Sequence, residues 1–129
     1  NPENASEIKA VLDWEMATVG DPLMDLGTSL AYWAQADDPD ILKMFNLTHL
    51  PGNLTREEVV AYYDIRTPFD LSDVLFYYVF GLFKVGVIAQ QIYKRFVQGF
   101  ANDPRFAALI HVVDAAGKKA ENSIKTDKI

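Results

Sequence analysis

Cysteine is absent from the chain, which excludes a disulfide framework and any thiolate metal site. Histidine is nearly absent: His49 falls in a loop before Pro51, His111 lies off the apolar stripe of the last helical segment, and neither has a partner at ligand spacing. Basic residues are outnumbered, 12 Lys and Arg against 18 Asp and Glu, and the net charge of −6 argues against nucleic-acid binding, which requires a basic face. A clean hydrophobic run is missing as well. The most apolar stretch, Val74 to Tyr93, is interrupted by Lys84 and by Gln90-Gln91. A membrane span needs about 20 predominantly apolar residues with few or no charges, so the expectation is a buried helix and no membrane partner. There is no initiator methionine, signal-like segment, internal repeat or low-complexity tract. A cytoplasmic protein is expected, with the sequons at Asn46 and Asn53 as chance matches.

What is present suffices for one domain over residues 1–129. Half of the residues are apolar and 12% are aromatic, which excludes intrinsic disorder, and 129 residues carry one core but not two. After a polar, turn-like opening, Ile8 to Leu12 reads as a short apolar strand ending at Asp13. Asp21-Pro22 reads as a helix N-cap with proline at the first helical position, and Leu23, Leu26, Gly27, Leu30 and Trp33 then share one stripe. Asp37, Asp38 and Asp40 read as a solvated loop, with a short helix from Pro39 to Phe45 after it. Thr55 to Glu58 is a capping box opening a helix to Ile65. From Ser72 to Phe100 runs a helix that is apolar almost all round, the pattern of a central buried element. Asn102-Asp103-Pro104 stops it and caps a last helix with its stripe at Phe106, Leu109, Ile110, Val113, Gly117 and Ala120. The fold class is mainly α, with a short N-terminal strand or hairpin remnant ahead of four or five helices.

The chemistry-bearing stretch runs from Val11 to Leu26. Asp13 ends an apolar strand and Glu15 follows two residues on, so a continuing extended chain would turn both carboxylates to one side. Two hard oxygen donors suit Mg²⁺, which binds through one or two carboxylates plus substrate phosphates; a solvated acid or a helix cap is the competing reading. On the long helix Lys84, Gln91 and Arg95 recur at one- and two-turn intervals, either as a pocket for an anionic or acyl-thioester substrate or as side chains snorkelling from a buried helix.

The run Leu12-Asp13-Trp14-Glu15-x-Ala17-x-x-Gly20-Asp21-Pro22-x-x-Asp25-Leu26 closely resembles the segment after the catalytic loop in the aminoglycoside phosphotransferase and choline kinase-like superfamily. Tyr62-Tyr63, Arg66-Thr67, Phe83-Lys84, Gln91-Ile92-Tyr93, Arg95 and Asp103-Pro104-Arg105-Phe106 extend the likeness towards the branch found alongside or fused to acyl-CoA dehydrogenases. The resemblance implies the C-terminal helical lobe of a protein kinase-like fold, and transfer of phosphate from ATP to a small-molecule hydroxyl, the acceptor being an acyl thioester or similar metabolite. It implies that Asp13 ligates Mg²⁺, that Glu15 joins it or makes a structural hydrogen bond, and that Asp25 braces the catalytic loop from the following helix. Asp21 is read as the helix cap and Trp14 as packing.

The superfamily's His-Gly-Asp-x-x-x-x-Asn loop occurs nowhere in the sequence, nor does a Gly-rich phosphate loop or the strand lysine that holds the nucleotide phosphates. The expectation is that the general base lies upstream of Asn1, that the chain alone is inactive, and that it self-associates through an open strand edge at Ile8–Asp13 or a face near Trp14 and Trp33. The competing class is a non-catalytic pseudokinase or helical interaction domain.

Overall fold

The computed structural model describes residues 1–129, with every side chain except that of Met16. Five α-helices carry the fold: α1 (Pro22–Tyr32), α2 (Asp40–Lys43), α3 (Arg56–Asp64), α4 (Val74–Val97) and α5 (Leu109–Thr126), with 3₁₀ turns at Trp14–Met16 and Pro104–Ala108. Their starts follow local chemistry. The Asp21 carboxylate accepts the Leu23 N–H at 2.9 Å ahead of Pro22. The Thr55 hydroxyl accepts from the Glu58 N–H while the Glu58 carboxylate takes the Thr55 N–H, which completes the expected capping box, and caps of this kind contribute about 1 kcal/mol.

The expected strand is not there. Residues 8–12 make no ladder, and Ile8 and Leu12 are 87% and 78% exposed. A β-strand is stable only beside a partner that takes its N–H and C=O groups, and among the described residues no second extended segment lies against it. The short apolar run there lies at the surface. The mainly α class stands without the strand remnant.

α4 is the axis of the molecule, packed against α1 on one side and α5 on another. Leu26, Leu30, Tyr78, Leu82, Val85 and Val112 form the centre of the core. The crossing of α1 and α4 is made by two glycines. A Cβ on Gly27 would come within 2.2 Å of the Tyr77 carbonyl oxygen, and one on Gly81 within 2.3 Å of the Gly27 carbonyl oxygen, so the two backbones touch. α4 ends earlier than Phe100 because Gly99 adopts φ +77: its N–H reaches the Phe96 carbonyl and the Phe100 N–H reaches the Arg95 carbonyl, a Schellman closure.

By length and apolar composition α4 taken by itself would pass for a membrane span. It is not buried all round, as its sequence suggests. Phe76, Phe83, Val87, Ile88 and Val97 stay exposed, and Phe83 and Val87 face α5 across an open apolar groove of about 530 Å³. The stripe read on α5 explains part of that groove. Val113, Gly117 and Ala120 line it, whereas the buried face of α5 is carried by Leu109, Val112, Ala116 and Ser123, turned partly away from that stripe.

The acidic loop is the second correction. Asp38 is 3% exposed; it bonds the Arg56 guanidinium, takes the Lys119 ammonium at 2.7 Å and accepts the Gln35 N–H at 2.8 Å. Arg56 is itself buried, donates to the Leu30 carbonyl at 3.3 Å and lies over the Tyr78 ring at 5.2 Å. This cluster ties the end of α1 to the starts of α3 and the middle of α5. Burial alone would push the Asp38 carboxyl up; the bonds from Lys119 and Gln35 and the charge of Arg56 outweigh it and hold the group below its ordinary value.

Candidate functional site

The N-terminal end of α1, the segment leading to it and the middle of α4 enclose a cleft of about 680 Å³, lined by Trp14, Ala17, Thr18, Gly20, Asp21, Pro22, Met24, Asp25 and Lys84. Its walls are fixed in sequence order. Asp21 caps α1 with one carboxylate oxygen and accepts the Tyr77 hydroxyl at 2.7 Å with the other, which locks the helix start to α4. That hydrogen bond, with partial desolvation, holds the Tyr77 hydroxyl above its ordinary range. Asp21 is therefore a structural carboxylate with both oxygens engaged.

Asp13 enters the 3₁₀ turn with φ 64 and ψ 35, the left-handed region that a non-glycine residue adopts at a cost. The extended geometry that would have aligned Asp13 with Glu15 is absent, because the chain turns at Trp14. In a turn of three residues, side chains two apart diverge by about 120°. Accordingly Trp14 lines the cleft while Asp13 and Glu15 stand exposed beside it. Neither carboxylate makes a hydrogen bond or ion pair among the described residues, so both are free to accept a cation, and their hard oxygen donors suit Mg²⁺. Among the described residues no group of three or more His, Cys, Asp or Glu gathers at metal distance. Two carboxylates would leave the rest of an octahedral shell to water and phosphate.

Asp25 lies on the exposed side of α1 and opens into the cleft. The catalytic loop that the resemblance has it bracing does not occur in this sequence. Lys84, Gln91 and Arg95 are separated. Seven residues of helix advance about 10 Å, so Lys84 reaches the cleft, Gln91 lines the α4–α5 groove instead, and Arg95 is an exposed side chain of the last turn of α4.

Sequence reasoning missed Thr28. Its hydroxyl donates to the Met24 carbonyl at 2.7 Å and accepts the Lys84 ammonium at 2.9 Å, so it positions the one cationic side chain that lines the cleft. Nothing along the chain could have announced this pairing, because it depends on the register of the glycine crossing between helices far apart in sequence.

The family model described as "Phosphotransferase enzyme family" matches residues 3–59, the span that holds the cleft's N-terminal wall and all of α1. Mouse acyl-CoA dehydrogenase family member 10 is 39% identical over 107 residues, covering 79% of this chain and 10% of that protein. Mouse acyl-CoA dehydrogenase family member 11 is 36% identical over 98 residues, 70% of this chain and 12% of the relative. Chicken family member 11 is 29% identical, over 75% of this chain and 13% of the relative. The chain thus spans about a tenth of the length of the curated relatives it matches. No solved structure matches it.

Proposed function

We propose that this chain, whose residues 3–59 match the phosphotransferase enzyme family, forms part of an ATP-dependent phosphotransferase acting on a small-molecule hydroxyl. The observation that carries the reading is the Asp13-to-Asp25 segment, which lies inside the matched span and walls the cleft at the start of α1. In this reading Asp13 and Glu15 hold Mg²⁺ at the cleft mouth. When bound, the ion would neutralise charge on the nucleotide phosphates. The chain's own residues do the rest: Trp14 offers the acceptor an apolar wall of the cleft, and Asp21, bonded to Tyr77, keeps the rim fixed.

The names of the relatives support a hydroxylated acyl thioester as acceptor, since they are called acyl-CoA dehydrogenase family members. A cytoplasmic setting, without nucleic-acid or membrane partners, completes the proposal and fits the net charge of −6.

The test is phosphate transfer by the polypeptide that carries this segment, with and without Asp13→Ala. Loss of a preorganised electrostatic group costs on the order of 100-fold or more in turnover. The melting temperature should fall only slightly, because Asp13 is exposed and makes no hydrogen bond or ion pair among the described residues, and its left-handed backbone suits alanine a little less than aspartate. An Asp13→Ala protein with full activity would overturn the reading. The 129-residue chain by itself contains no His-Gly-Asp loop and is expected to leave ATP intact.

A further inference from the structure

Lys84 poses a chemical question that packing does not answer. It sits in the middle of the most apolar helix, half-buried, and an ammonium in that position ordinarily pairs with a carboxylate or reaches bulk water. It does neither. Its one partner among the described residues is the neutral Thr28 hydroxyl, whose own proton is committed to the Met24 carbonyl. An ammonium has three N–H donors, so two remain for another acceptor. The nearest candidates are poor. Both Asp21 oxygens are engaged, and Asp25 lines the same cleft without forming an ion pair to Lys84.

We propose that Lys84 is the anion-reading residue of the cleft, fixing a carboxylate or phosphate oxygen of the small molecule bound there, with Thr28 as its positioning residue. The ligand class follows from the lining. A charged oxygen group meets Lys84, an apolar or planar portion lies on Trp14 and Met24, and Asp25 can accept a hydroxyl proton as a hydrogen bond. The inference rests on the phosphotransferase reading only in calling the ligand an acceptor; the anion site itself stands on the cleft.

The experiment uses the full ¹⁵N-labelled chain, titrated with sodium propionate, sodium phosphate and ADP, each against sodium chloride at matched ionic strength. Propionate should produce saturable shifts at the Trp14 indole N–H and the Thr28 amide. Lys84→Met should weaken that binding by about tenfold or more, the worth of one charge-assisted hydrogen bond, while Lys84→Arg retains it. Thr28→Val leaves the charge in place and should weaken binding by a smaller factor, which guards against misfolding of the Lys84→Met chain. Unchanged propionate affinity in Lys84→Met, or no saturable shift in the wild type, overturns the proposal. Binding of ADP and phosphate without propionate overturns the acceptor assignment and makes Lys84 a nucleotide-phosphate contact. None of these results bears on Asp13, so failure here is distinguishable from failure of the phosphotransferase reading.

Discussion

Asp38 shows how much one residue can conceal. Three aspartates in a short polar stretch read as a solvated loop, yet the middle one is held by a guanidinium, an ammonium and a backbone N–H in the interior. The partners come from residues 56 and 119, and no local pattern reports them. Its carboxyl is held below the ordinary value of 3.8, so folding favours the ionised form. The stabilisation is complete above that value and is lost as pH falls through the lower folded-state pKa. Asp38→Asn should therefore cost about 3–5 kcal/mol at neutral pH, since it leaves Arg56 and Lys119 without their counter-ion in the interior. The gap to the wild type should narrow in acid, as the wild type loses the same interaction. Denaturant melts of both proteins at neutral pH and at pH values below 3.8 would check both halves. An equal gap at all pH values would count against the charge account. Asp13, by contrast, is proposed as a metal ligand on family likeness alone, since the extended geometry that first suggested it gives way to a left-handed turn.

At the scale of elements, starts were easier to read than faces. The Asp21-Pro22 and Thr55-to-Glu58 signals work through neighbours one turn away, so the sequence carries them whole. Which side of α4 is buried depends on where α1 and α5 land, and an all-round apolar helix does not encode that. Gly27 fell on the expected stripe, but its meaning is set by its contact with α4. Gly81→Ala should destabilise the chain by about 1–3 kcal/mol or more, because the obstacle is the backbone of Gly27 and a backbone cannot change rotamer. Gly86 sits on the same helix with nothing within 4 Å of a built Cβ. Gly86→Ala should gain about 0.5–1 kcal/mol from helix propensity alone. Thermal melting of the two variants side by side gives opposite signs if the crossing is the cause.

For the whole molecule, the balance of covered and uncovered surface is unusual. Ile8, Val11, Leu12 and Trp14 are exposed along one segment, and Phe76, Phe83 and Val87 along one helix. Contiguous apolar patches of this kind drive association. Light scattering at micromolar concentration should therefore find a species larger than 14.5 kDa. Phe83→Lys and Val11→Lys, both at exposed positions, tell the α4–α5 groove from the N-terminal segment as the contact; a monomeric wild type would refute both. The helical class was readable because composition and periodicity are global averages. The cleft was not, because it is made where two distant segments meet. The glycine contact between α1 and α4 also governs how that cleft can move. Main chain resting on main chain leaves no side-chain cushion to slide across, so translation of one helix along the other is blocked while swivelling about the contact point is not. Lys84 lies one turn beyond Gly81, and Asp25 lies two residues before Gly27. The jaws of the cleft are thus mounted close to their own pivot, where a given rotation moves them least, and the molecule behaves there as a gauge of fixed aperture.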